Sequence, residues 1–286
     1  MLSAIVVDYA SLGFMLITLF VIGALAFMAF GLNQAILLVK HLSISLGLFT
    51  ALVNLVHFLA NLSDPSAFLP DLMLSAQAVF YGVAIVMLLS PLSAYLARRS
   101  LASHTPQNEL SKDDLIQNDQ TQRASKTALW VSLSIIIVCL VKLGLNEPLL
   151  FVNIPALIAL SLVILIGYFS WDTQAESNPT LARLLSLHSS SVKGAGLMLG
   201  LSLTMVFYHS KQPQFAGPLF AVAVLSMCYA VVLQMFVKTQ YVLANSDPLI
   251  KQDQTLIEFK QGQKTMMAFY IATLFCILKF FSLMAH

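Results

Sequence analysis

Eight runs of apolar residues, each carrying few or no charges, decide what this chain can fold into. They occupy roughly residues 9–31, 42–60, 68–92, 127–145, 149–171, 194–209, 215–237 and 265–284. A helix needs about 20 apolar residues to cross the hydrocarbon core of a bilayer. Most of the runs reach that length, and the sixth does so by borrowing from its flanks. Composition points the same way: 10% of the residues are charged and 58% hydrophobic, with a mean hydropathy of +0.84. A soluble domain carries about 25% charged residues, because its surface must face water. The expected fold is all-α, a polytopic membrane helical bundle of about eight transmembrane helices. Its parts are a first helical set over 1–96, a polar cytoplasmic loop over 97–126 and a second set over 127–286. The loop, which includes QNELSKDDLIQNDQTQR, is open to either a surface helix or a flexible linker.

Lysine and arginine give the spans a direction. With Arg98 and Arg99 in the cytoplasm and the chain alternating, 12 basic residues lie inside and 3 (Lys142, Lys211 and Lys279) outside. The positive-inside rule therefore sets both termini outside the cytoplasm. Trp130 and Trp171 then fall at cytoplasmic helix ends, where indole rings prefer to sit. Met1–Asp8 lacks a basic n-region, so the first run reads as a retained span. No basic helix or aromatic-studded basic patch indicates nucleic acid. Cys139, Cys228 and Cys276 lie inside apolar runs without metal or redox spacing, and read as packing residues.

A shift of 148 residues brings Pro65, Pro70 and Tyr81 onto Pro213, Pro218 and Tyr229 without a gap. Each set occupies a turn between two apolar runs and the helix that follows. The shift crosses an even number of spans, so the two copies form a parallel internal repeat.

The first copy carries a resemblance. Its segment Asn61–Pro70, NLSDPSAFLP, is followed by the Tyr81–Gly82 pair and then by Pro91 and Arg98–Arg99. This pattern resembles the last two transmembrane helices, with their external turn, of the MotA/TolQ/ExbB family, the channel-forming subunits of ion-driven motors. QPQFAGP (Gln212–Pro218) with Tyr229, and FVNIPALI (Phe151–Ile158), repeat family-like features more weakly. The turn has its own physical logic: Asp64 and Pro65 stop a helix, and Pro70 suits the first turn of the next.

The resemblance implies a proton-channel subunit of a bacterial inner membrane, assembled as a homo-oligomer around a single-span partner that carries an acidic residue. In the family, hydroxyl side chains on the two helices line the ion path beside that carboxylate. At the matching places this chain has Ala51, Ala78 and Val79, with Thr50 one position away and Ser226 in the second copy. The family's long cytoplasmic domain is reduced to Asp172–Lys193, which argues against driving a rotor.

Ionisable and polar groups inside spans are costly and mark functional candidates. The ion-path candidates are Thr50, Asn54, His57, Gln77 and Ser226, with Gln77 a partner for Asn54 or His57 across the hairpin. Asn54, His57 and Gln77 also suit plain helix–helix hydrogen bonding. Lys40, His41, Lys142 and Lys279 read as snorkelling residues at helix ends, with Glu147 an alternative partner for Lys142. His104, His188, His209 and His286 fall in loops or at ends. No Asp or Glu sits at the centre of a span, which fits a path whose acid comes from a partner. HExxH, GxSxG and phosphate-binding loops are absent, so no enzyme activity, cofactor or metal is expected. Two other roles remain open: a non-conducting scaffold that uses the hairpin to bind a partner, and a small polytopic transporter.

Overall fold

The computed structural model describes residues 8–60, 68–103, 128, 130–142, 153–169, 179–209, 216–244 and 252–284. Among these residues all regular structure is helical. The eight helices are α1 (Tyr9–Phe30), α2 (Leu32–Ala60), α3 (Phe68–Ser103), α4 (Trp130–Lys142), α5 (Ile154–Phe169), α6 (Pro179–Tyr208), α7 (Ala216–Ala244) and α8 (Gln252–Met284). Each overlaps one of the eight apolar runs.

Five of these helices contain a stretch long and apolar enough to cross a membrane: Tyr9–Phe30, Leu32–Ala60, Leu72–Leu96, Leu184–Tyr208 and Ala216–Leu243. Among the described residues the expectation of eight spans is met by five. Helices α4 and α5 are described over 13 and 16 residues, fewer than the about 20 that cross a hydrocarbon core. In α8 the apolar run follows Gln263 and Lys264 and contains Lys279.

Local chemistry sets the helix ends. Asp8 caps α1, its carboxylate accepting from the Ser11 backbone N–H at 3.0 Å. Gly31 ends α1 at φ +85°, in the left-handed region that favours glycine, and its N–H donates to the Phe27 carbonyl at 3.0 Å. The chain reverses on that one residue, so α2 starts at Leu32, ten residues ahead of its apolar run. At the other hairpin, Pro70 is the third residue of α3, where a missing N–H costs no internal hydrogen bond. Farther along, α3 passes through Pro91 and continues to Ser103, beyond the apolar run that stops at 92.

The most enclosed helices are α2 and α7, each buried over 67% of its apolar stretch, against 28% for α1 and 17% for α3. The most extensive packing is between α2 and α3, followed by α6 with α7, α2 with α7, and α1 with α2. The first joint has a specific cause. A Cβ on Gly47 would lie 2.8 Å from the Ala78 carbonyl, and one on Gly82 would lie 2.7 Å from the Ser43 carbonyl. Two glycines facing each other let the backbones touch, the usual device where lipid removes a hydrophobic drive for helix association.

Candidate functional site

Three helices bring a polar group together inside the bundle. On α7, Gln234 and Lys238 are four residues apart and share a face. On α2, His41 and Ser45 do the same, and α8 contributes Gln263. Lys238 is 3% exposed and Ser45 is 2% exposed. The Lys238 Nζ donates to Ser45 Oγ at 3.1 Å. Gln263 Nε2 donates to the same oxygen at 3.0 Å and lies 3.3 Å from the His41 carbonyl. The buried Gln234 Nε2 and His41 Nε2 make no hydrogen bond among the described residues. No carboxylate pairs with Lys238 there either. The cluster thus holds a buried amine with no charged partner among the described residues and an amide donor, Gln234 Nε2, with no acceptor there. At the same end of α2, Lys40 Nζ donates to Ser93 Oγ on α3 at 2.9 Å, a bond more specific than snorkelling.

The expected ion-path residues behave differently. Thr50 is fully buried and its hydroxyl donates to the Leu46 carbonyl of its own helix at 2.9 Å. Ser226 likewise donates to the Val222 carbonyl at 2.8 Å. Both face the packed interior, so neither lines a path within the single chain. Asn54 does bridge helices, but its Nδ2 reaches Ser11 Oγ on α1 at 3.3 Å and the Leu74 carbonyl on α3 at 3.4 Å. His57 and Gln77 are both half-buried, on α2 and α3. A stronger bridge joins three elements nearby: Ser75 Oγ donates to the Ala51 carbonyl at 2.8 Å and meets the Tyr270 hydroxyl of α8 at 2.7 Å.

Of the family-like turn, Asp64 and Pro65 lie outside the described residues, as does Glu147. Pro70 stands in the first turn of α3, and Tyr81 is half-buried with its ring edge-on to Phe80 at 6.4 Å. Gly82 is the packing contact with Gly47 described above. Lys142 Nζ sits 5.2 Å from the Phe14 ring centroid, a cation–π contact. His188 is not in a loop. It lies buried within α6, edge-on to Phe259 at 4.7 Å, beside a cavity of about 410 Å³ between α6 and α8.

No family model, curated protein or solved structure matches the chain. Among the described residues no group of three His, Cys, Asp or Glu side chains is placed to hold a metal.

A tally of lysines and arginines takes Lys238 as one of the 12 cytoplasmic charges and gives no hint of the cluster. A signal was present. Lys238 is followed by TQYVLA, so apolar residues continue past it, and Gln234 stands one turn before it. A lysine inside a run, rather than at its end, is the mark of a buried one.

Proposed function

We propose that the protein is an integral membrane subunit of an ion-path or energy-transducing complex, completed by a single-span partner with a membrane carboxylate. One observation carries this reading: the buried Lys238 amine, with Gln234 and Gln263, forms a donor cluster for which the described residues supply no carboxylate. An amine buried inside a bundle keeps its charge only where a partner offsets its desolvation. Helix α8 closes the cluster with less packing on α2 and α7 than on α6, and is the element that yields when the partner enters. The hairpin's likeness to the MotA/TolQ/ExbB family supports the same class.

In this reading the chain crosses a bacterial cytoplasmic membrane eight times with both termini outside. It is also an internal duplication. A shift of 148 residues carries Leu32–Ala60 to 180–208, beside α6 at Pro179–Tyr208, and carries the start of α3 at 68 onto the start of α7 at 216. The packing order supports the same division, since α1, α2 and α3 associate as α5, α6 and α7 do.

A second reading, a non-conducting scaffold that binds the partner by packing, is favoured by the bonds of Thr50, Asn54 and Ser226, which are spent inside the chain. Ion flux into vesicles holding the chain with its copurified partner separates the two. The ion-path reading expects flux that Lys238→Met reduces at least tenfold while Thr50→Val leaves it unchanged. Partner binding with no flux in the wild type selects the scaffold.

A further inference from the structure

Helices α6 and α8 run side by side in the same direction: Gly262 backs onto the His188 ring, and further along both helices Gly196 backs onto the Phe269 ring. The cavity of about 410 Å³ lies along this joint. On α6 its polar wall is His188, Ser189 and Lys193, which share one face. On α8 the wall is Gln261, Gly262 and Thr265. The Phe269 ring fills the space over Gly196, one turn beyond the last of these residues.

The wall offers donors to an anion. Lys193 and Gln261 are exposed at the rim, and Ser189 is half-buried between the helices. An ammonium, a hydroxyl and a side-chain amide thus converge on one space. The Thr265 hydroxyl is spent on the Gln261 carbonyl at 2.9 Å. Lys260 and Lys264, both exposed on α8, flank Gln261 and Thr265 and add to the positive potential. No carboxylate lines the cavity among the described residues, so a ligand's ammonium group would find no charged partner there. Snorkelling explains a lysine that reaches water, but not a cavity with neutral donors gathered beside it. The volume is at the low end of ligand pockets, about 300–1,000 Å³. It holds a phosphate-bearing headgroup and not a whole phospholipid.

Depth narrows the ligand further. Both helices turn apolar immediately past the cavity, α6 in the run that starts at 194 and α8 in the run that starts at 265. In the positive-inside orientation these are the cytoplasmic ends, so the cavity sits where the hydrocarbon core gives way to the phosphates of the inner leaflet. Basic pockets between helices on that side are the places where anionic headgroups bind. Past the Phe269 ring the joint opens again. Nothing lies within 4 Å of a Cβ placed on Gly200, and Leu197, Leu201 and Ala272 are exposed around it. An acyl chain has an apolar track there, continuous with the cavity.

We propose that the α6–α8 cavity binds the phosphate of an anionic phospholipid from the cytoplasmic leaflet, with Lys193, Ser189 and Gln261 as donors and an acyl chain lying past Gly200. The bound headgroup bridges α6 to α8, and so holds the helix that closes the Lys238 cluster. The proposal rests on the membrane orientation of the reading above, and not on the ion path or its partner.

The test counts lipids on the purified full chain by native mass spectrometry in a neutral detergent. Phosphatidylglycerol or phosphatidylcholine with the same acyl chains is titrated in. One phosphatidylglycerol per chain is expected to bind about tenfold more tightly than phosphatidylcholine, the worth of one charge-assisted hydrogen bond. Lys193→Met should abolish that preference and Lys193→Arg should keep it. Thr265→Leu fills the cavity without changing charge and should abolish it too. Lys279→Met removes the same charge at the other end of α8 and should leave it intact. An unselective wild type, or a preference that survives Lys193→Met or Thr265→Leu, overturns the proposal, as does one that Lys279→Met also removes. Glycerol phosphate, which lacks acyl chains, should displace the lipid only at about a hundredfold higher concentration. Displacement at equal concentration assigns the cavity to a soluble phosphate ester and overturns the lipid.

Orientation is read separately, with Lys264→Cys in a chain whose Cys139, Cys228 and Cys276 are changed to Ala. An impermeant thiol reagent should label it in inside-out vesicles and not in intact cells. The opposite labelling removes the orientation and the leaflet assignment together. Expected labelling without lipid preference leaves the orientation standing and overturns the site.

Discussion

Adding a single methyl group at Gly82 is expected to force α2 and α3 apart. The new Cβ would lie 2.7 Å from the Ser43 carbonyl oxygen and 3.2 Å from Gly47 Cα, both backbone atoms that cannot rotate away. Ordinary van der Waals contact begins at 3.4 Å, so the helices must separate by roughly 0.7 Å. A gap of that size forfeits a quarter to a half of each contact's attraction along the joint. Overpacking of this kind costs about 1–3 kcal/mol, while alanine's better helix propensity returns about 1 kcal/mol. Gly13→Ala supplies the matched control, since nothing lies within 4 Å of a Cβ placed there. Reversible unfolding in mixed detergent micelles should place Gly82→Ala below Gly13→Ala by about 1–3 kcal/mol, the clash alone. Gly47→Ala should behave like Gly82→Ala, its Cβ meeting the Ala78 carbonyl at 2.8 Å. The double variant should cost less than the sum, because both methyls open one joint. Equal stability of Gly82→Ala and Gly13→Ala would refute the close approach of these helices.

The buried cluster makes a prediction of opposite sign. Lys238→Met should leave the isolated chain as stable as the wild type or more so, because it removes a buried ionisable group that the described residues do not balance with charge. Ser45→Ala should instead cost about 1–3 kcal/mol, since it strips Lys238 and Gln263 of a common acceptor; the same unfolding assay reads both. A double-mutant cycle with Ser75→Ala and Tyr270→Phe should give a coupling near 0.6 kcal/mol, the size usual for hydrogen bonds between membrane helices. Zero coupling would show that the 2.7 Å contact between α3 and α8 contributes nothing. Gly262→Ala places a methyl against the His188 ring, and should lower stability by about 1–3 kcal/mol through displacement of that ring from Phe259.

The helical architecture was legible because hydropathy reports the solvent, and each apolar run lies on one helix. The ends were not, because hydropathy is blind to helices that leave the bilayer. Helix α6 begins at Pro179, well before its apolar run at 194, and α8 begins at Gln252 rather than 265. That error put His188 in a loop when it is a buried helical residue. Side-chain partners were beyond reach for a different reason. The sequence places Asn54 opposite Gln77 on the hairpin, yet the amide of Asn54 turns to α1 and to a backbone carbonyl. Pairings of that kind depend on the rotation of each helix about its axis, which an all-round apolar sequence leaves undetermined. Gly82 belongs to the family-like motif, while its physical role lies in its contact with Gly47, 35 residues away in sequence. Lys238 shows the same blindness, since a charge count assigns it to a compartment and only packing shows that it is inside.

The central claim is that Lys238 and its neighbours form a closed seat for a partner's carboxylate. Purification from native membranes in a mild detergent, followed by identification of the copurifying chains, tests it most directly when wild type and Lys238→Met are run together. The wild type is expected to bring down a single-span protein with an Asp or Glu inside its span, and Lys238→Met to lose that protein while remaining folded. A partner retained equally by both proteins, or a wild type that purifies alone as a monomer, would contradict the claim.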